Sequence, residues 1–113
     1  ANTIPSVTKI INPLTFDATA AVANGTRFLI TDNIGDSTQY WQGLSDDAAE
    51  ANDIVQYNSA TNTWSVVFDA SEFDSTVEYV TNLNTGIQYK YNGTNWVKSY
   101  EGIYIAGKWT LVL

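Results

Sequence analysis

The chain has 113 residues, with 12 acidic and 5 basic side chains and therefore a formal charge of −7. It contains no Cys and no His, which excludes thiol nucleophiles, Cys/His zinc sites and His-based catalytic triads. The acidic balance argues against nucleic-acid and membrane-surface partners, and no apolar run is long enough for membrane insertion. We therefore expect a protein without enzymatic activity, and we expect no cofactor and no bound metal.

The first segment, residues 1–23, is weakly patterned and contains both prolines of the chain, Pro5 and Pro13. Because Pro cannot donate a hydrogen bond inside a sheet, we expect an N-terminal arm or an edge segment here. The absence of Met leaves two interpretations open, a removed initiator residue or a piece excised from a longer chain. The patterned region begins at the turn dipeptide Asn24-Gly25, so residues 24–113 are assigned to one antiparallel β-domain.

The next two elements in chain order are a strand and a helix. Alternating apolar residues in TRFLITD predict a strand over residues 26–31. The segment LSDDAAEAND then provides Ser45 as an N-cap, followed by Asp46 and Asp47 where the helix dipole favours negative charge. This pattern predicts one short helix near residues 45–52.

The remainder of the chain alternates between strand-like runs and short polar turns. Loops of this length join antiparallel neighbours, so sequential pairing is expected. The predicted fold is mostly β, a small antiparallel sandwich or open barrel of repeated hairpins with one short helix. The predicted strands after the helix are residues 54–58, 63–70, 77–83, 87–92, 96–100, 103–106 and 109–113.

A Tyr, a short polar turn and a Trp recur as YNSATNTW, YNGTNW and YIAGKW. Residues flanking a hairpin loop lie opposite one another, so each Tyr is expected to pair with its Trp, a contribution of ~0.2–1 kcal/mol. Alternation does not decide whether these rings pack in the core or form an exposed surface for a protein or a sugar. The candidate contact or stacking aromatics are Trp41, Tyr57, Trp64, Tyr91, Trp96, Tyr104 and Trp109.

The order of these motifs resembles small β-domains of tailed-bacteriophage virion proteins. The strand NGTRFLITD, the hairpin NDIVQYN to NTWSVVFD and the hairpin YKYNGTNW carry the resemblance, at residues 25–30, 53–64 and 89–96. It covers about residues 24–100 and brings no catalytic residues with it. It implies a structural role in the head, neck, tail or fibre of a virion that is assembled in the host cytoplasm.

Two functions therefore remain. The first is a non-enzymatic structural or decorating domain of a virion, whose partners are other virion proteins in a homo-oligomeric or repeated assembly. The strand-like sequence WTLVL, residues 109–113, is a candidate for pairing either within the domain or with a neighbouring chain. The alternative is a carbohydrate-binding module that uses exposed Trp and Tyr rings to recognise a host-surface glycan.

Overall fold

The structure, a computed structural model, describes residues 2–16, 22–35, 41–45, 48–73 and 77–99. Within these ranges the chain forms a four-stranded sheet in the order β1-β2-β3-β4 and a three-stranded sheet in the order β5-β6-β7. The predicted mostly-β, sandwich-like fold is confirmed, whereas the strands predicted at 103–106 and 109–113 lie outside the described residues. The strands are β1 (Lys9–Ile11), β2 (Arg27–Ile30), β3 (Ile54–Asn58), β4 (Thr63–Phe68), β5 (Glu78–Asn82), β6 (Ile87–Tyr91) and β7 (Trp96–Lys98), with a 3-10 helix at Ala70–Glu72.

All strand pairs are antiparallel except β1 with β2, which run parallel. The N-terminal segment, which contains β1, is hydrogen-bonded to both sheets. The amides of Thr3 and Ile4 donate to the carbonyl of Tyr79 in β5, at 3.0 and 3.1 Å. A few residues later the amide of Thr8 donates to the carbonyl of Arg27 in β2. The segment therefore joins the edge of one sheet to the edge of the other.

The four-stranded sheet is apolar on both faces. In β2, Phe28 and Ile30 face one side and Leu29 faces the other, as the two-residue period of a strand requires. The first side forms the loop-side core, which the loops beyond β2 cover and which consists of Ile11, Phe28, Ile30, Ile34, Trp41, Leu44, Ala49, Val55 and Trp64. The second side forms the inter-sheet core against the three-stranded sheet, which consists of Val7, Leu29, Ile54, Phe68, Ala70, Val80 and Tyr91.

A register shift in β4 sends its two ends to different cores. Val66 lies opposite Val55, but Phe68 lies opposite Ile54, so Val67 is an extra residue without a cross-strand partner. Strict alternation would place Phe68 on the same face as Val66. The bulge turns Phe68 to the opposite face, where it packs in the inter-sheet core.

The prediction of a helix near residues 45–52 is wrong for the part of this segment that the structure describes, residues 45 and 48–52. The described residues of this segment form turns and bends. The amide of Ala51 donates to the side-chain oxygen of Asn33 at 2.8 Å, and the amide of Asn52 donates to the carbonyl of Ile30 at 2.9 Å. Asn52 also has a positive φ of 80°, which a right-handed helix does not allow. Tertiary hydrogen bonds therefore replace the i to i−4 bonds of a helix.

Candidate functional site

Two of the three Tyr–Trp hairpins pair as predicted. Tyr57 lies directly opposite Trp64, with ring centroids 5.1 Å apart, and the Tyr57 hydroxyl donates to the side chain of Asn62. Tyr91 lies opposite Trp96, with centroids 5.2 Å apart. Contacts of this kind between aromatic rings stabilise a hairpin beyond their buried area. The third pair, Tyr104 with Trp109, lies outside the described residues.

The candidate aromatics differ in exposure. Trp41 is 0% exposed and Trp64 is 3% exposed, and their ring centroids are 4.8 Å apart in the loop-side core. Tyr91 is buried in the inter-sheet core. Tyr57 and Trp96 are half-buried. Trp41 and Trp64 therefore contribute to internal packing, and of the described candidates only Tyr57 and Trp96 have a ring face near solvent.

Asn52, the last residue of the segment that was predicted to be a helix, holds the side chain of Trp96 in a fixed orientation. The indole nitrogen of Trp96 donates to the carbonyl of Asn52 at 2.9 Å. The side-chain amide of Asn52 donates in turn to the carbonyl of Thr94 in the β6–β7 loop, at 3.2 Å. Because the Asn52 amide also donates to Ile30, this residue connects the β6–β7 hairpin to the end of β2.

An open groove of about 320 Å³ lies beside Trp96, between the two sheets. Its volume falls at the lower end of the ~300–1,000 Å³ that small-molecule sites occupy. None of the described residues that line it carries a charge. Sequence reasoning missed Tyr89, although its spacing of two from Tyr91 places both rings on the inner face of β6. The lining residues are Ile10, Leu29, Ile30, Thr31, Asn52, Tyr89 and Trp96.

The outer edge of β7 is a second feature of this hairpin. The Ser99 amide donates to the Gln88 carbonyl in β6 at 2.9 Å. Hydrogen-bonded positions alternate along an antiparallel ladder, so the backbone groups of Trp96 and Lys98 point away from β6. Within the described ranges no strand pairs with this edge. The side chain of Val97 between them is 42% exposed.

Asp53 is a buried carboxylate at the start of β3, with 2% of its surface exposed. One carboxylate oxygen accepts from the amide of Ala70 at 2.9 Å and the other from the amide of Glu50 at 3.0 Å. Burial raises the pKa of Asp53, against the two backbone hydrogen bonds, which lower it; the nearby charges of Asp69 and Glu50 add to the rise. This geometry holds two backbone turns against β3.

We expect Asp53→Ala to lower the free energy of unfolding by about 1–3 kcal/mol, because the amides of Ala70 and Glu50 lose their acceptors. Urea unfolding at neutral pH measures this. Glu72→Ala, which removes an exposed carboxylate nearby, is the control and should change stability by less than about 0.5 kcal/mol. Equal effects of the two substitutions would contradict the role of Asp53.

The effect of Asp53→Ala should also depend on pH. When the pKa of a carboxyl is higher in the folded chain than in the unfolded chain, its contribution to folding stability is complete at pH values below the unfolded pKa. That contribution is lost as the pH rises from the ordinary value of 3.8 through the raised pKa of folded Asp53. The stability difference between wild type and variant should therefore shrink as the pH rises across this window. Unfolding curves at a series of pH values test it, and a difference that grows with pH would contradict the assignment.

Arg27 is a partly buried cation in β2. Its guanidinium donates to the side-chain oxygen of Gln56, its cross-strand neighbour, at 2.6 Å. Burial lowers the pKa of Arg27, and its Nε has no hydrogen-bond partner among the described residues. The guanidinium and amide together form a polar end to the Leu29 face of the sheet.

Among the residues that the structure describes, no three acidic side chains converge to hold a metal ion. In the same part of the chain, no helix has the length and apolar character needed to cross a membrane. Comparison with protein-family models, with curated proteins and with solved structures finds no match. The candidate sites are the groove beside Trp96 and the outer edge of β7.

Proposed function

We propose that this chain is a non-enzymatic structural or decorating domain of a tailed-phage virion, where it contacts other virion proteins in a repeated assembly. Its place is then the phage particle, after assembly in the host cytoplasm. The resemblance supports this proposal, because its three segments coincide with structural units. Residues 25–30 comprise a turn and β2, residues 53–64 span most of the β3–β4 hairpin, and residues 89–96 contain the β6–β7 turn.

The outer edge of β7 is the observation that carries the proposal. An extended segment of a neighbouring protein can add to such an edge through main-chain hydrogen bonds, with side-chain contacts providing specificity. Val97 provides an exposed apolar contact on this strand. β7 is only three residues long and ends at Lys98, features that limit indiscriminate pairing between edges.

The paired aromatics support the same role. An edge can act as a template for a neighbour only if its own strand is held in place. β7 is fixed by the Tyr91–Trp96 pair and by the hydrogen bond from Trp96 to Asn52. Little backbone ordering is then left for the moment of association, which favours affinity.

Mass photometry and sedimentation of the full chain test the proposal. We expect a defined oligomer, and we expect Lys98→Pro to reduce it to monomers, because Pro removes an outward amide without breaking the ladder to β6. Lys98→Ala, which removes the same charge but keeps the amide, should still assemble. A full chain that stays monomeric at every concentration would contradict the proposal, as would assembly that is equal in both variants.

The C-terminal sequence WTLVL, residues 109–113, lies outside the described residues and remains a candidate partner for such an edge in a neighbouring chain. A chain that ends at residue 108 is expected to keep its circular-dichroism spectrum and to lose the oligomer. The expectation rests on the described strands and the described members of both cores, which all lie within residues 2–99. Unfolding of the truncated chain would instead assign residues 109–113 to the domain's own sheets.

A further inference from the structure

We propose that the groove between the sheets binds one neutral pyranose ring of a glycan. The site does not depend on the proposed assembly role. It differs from the sequence-based glycan hypothesis in its residues, since Tyr89 and Trp96 form it and the buried Trp41 and Trp64 do not.

The two rings are neighbours on the inner face of the three-stranded sheet. Trp96 lies opposite Tyr91 and Tyr89 lies opposite Lys98, so the rings of Tyr89 and Trp96 are diagonal to each other across β6 and β7. Ile10 and Leu29 of the facing sheet complete an apolar lining. A pyranose has apolar C–H groups on its ring faces, which suit a gap lined by aromatic and aliphatic surface.

Polar groups at the groove match the hydroxyls of such a ring. Within the described part of the chain, the Tyr89 hydroxyl has no hydrogen-bond partner and can donate or accept. Asn52 uses its amide, its carbonyl and its side-chain nitrogen in hydrogen bonds, and among the described residues its side-chain oxygen has no donor and is left as an acceptor. The Thr31 hydroxyl, whose one contact with a described side chain is a long 3.4 Å contact with Asp32, adds a third group.

The charge of the lining residues and the volume of the groove limit the chemical class of ligand that it can bind. Among the described residues that line the groove, no cationic side chain is present to meet an anion, which would also approach a chain of formal charge −7. The same lining residues include no carboxylate for a cation. The volume of about 320 Å³ equals that of roughly ten water molecules at ~30 Å³ each, enough for a single ring. Because the groove is open, the remainder of a glycan can extend into solvent.

The experiment is a titration of the isotope-labelled full chain, followed by amide NMR shifts. The probes are the methyl glycosides of glucose, galactose and mannose, and N-acetylglucosamine. We expect at least one of them to bind with a millimolar dissociation constant, as suits one partly enclosed ring, and to shift amides around residues 30–31, 52, 89 and 96. Indole serves as an apolar probe of the same groove.

Two matched substitutions separate the site from the rest of the sheet. Tyr89→Phe removes only a hydroxyl and should weaken sugar binding about 3–10-fold. Tyr79→Phe makes the same change on the outer face of the adjacent strand β5 and should leave affinity unchanged. Tyr89→Ala removes the stacking ring and should abolish binding, with the dispersion of the amide spectrum confirming the fold.

Three outcomes would overturn the proposal. The first is the absence of shifts with every sugar at concentrations well above the millimolar range. The second is shifts that map away from the groove or that Tyr89→Phe and Tyr79→Phe weaken equally. The third is indole binding more tightly than every sugar and displacing them, which would assign the groove to an apolar ligand.

Discussion

The Trp41→Ala variant is expected to lose about 3–5 kcal/mol of unfolding free energy, at the upper end for a single substitution in a core. Trp41 belongs to a loop, yet none of its surface is exposed. Its ring contacts Phe28 and Trp64, and its indole nitrogen donates to the carbonyl of Pro13 at 3.3 Å. Removal of the Trp41 side chain opens a cavity between the four-stranded sheet and the loops that cover the loop-side core. Urea unfolding, followed by circular dichroism, measures the loss.

Two further substitutions test whether the loss of stability comes from the buried ring of Trp41. Trp41→Phe keeps an aromatic ring and should recover part of the stability. Val77→Ala removes an exposed apolar side chain outside the proposed contact and should change stability by less than about 0.5 kcal/mol. If Trp41→Ala is no more destabilising than Val77→Ala, the loop-side core does not depend on Trp41.

Gly43→Ala is the second substitution with a large expected effect. Gly43 has a φ of +96°, and a Cβ atom there would lie 2.7 Å from the Cβ of Thr63 and 2.8 Å from the carbonyl oxygen of Trp64. Both the positive φ of Gly43 and its close approach to β4 therefore make a side chain at this position unfavourable. We expect destabilisation of about 3 kcal/mol or more, the sum of conformational strain and a clash with backbone.

Gly25→Ala is the matched control for Gly43→Ala. Gly25 has a similar φ of +83°, but a Cβ atom there would meet no atom of the described residues within 4 Å. Its expected loss is therefore that of the backbone conformation alone, about 1–2 kcal/mol. Comparison of thermal or urea unfolding in the two variants isolates the steric part. Equal losses would show that the close approach of Gly43 to β4 relaxes without effect.

The approach of Gly43 also explains how one edge of the four-stranded sheet is covered. The amide of Trp64 in β4 donates to the carbonyl of Gln42 at 2.7 Å, so the loop occupies a ladder position at this edge. The bulge at Val67 disturbs the other end of the same strand. The covering loop and the bulge both disfavour pairing of this edge with a strand of another molecule. The outer edge of β7 has neither within the described residues, which is why the proposed contact is placed there.

The two proposed surfaces share β7. The side chain of Trp96 lines the groove, while its backbone groups face the outer edge. A partner strand that orders β7 would therefore also hold one wall of the groove. A sugar titration of the Lys98→Pro monomer against the wild-type oligomer would show whether the two surfaces influence each other.

The sequence by itself determined the described strands β2 to β7 and the two described Tyr–Trp pairs. These depend on alternation and on the chemistry of short turns, which are local properties. The predicted strand at residues 54–58 matches Ile54–Asn58 of the structure, and Tyr57 faces Trp64 as the spacing requires. The mostly-β class follows from the same local signals.

Only the tertiary structure decided which rings are buried and where the groove lies. The helical signal near residues 45–52 was overridden because Asn33 and Ile30, distant in sequence, accept the amides of Ala51 and Asn52. The bulge at Val67 reverses the face of Phe68, a change that a two-residue period cannot reveal. Tyr89 and Trp96 form a groove only because a second sheet packs opposite them. Each of these features depends on contacts between distant segments, which the pattern within a segment does not encode.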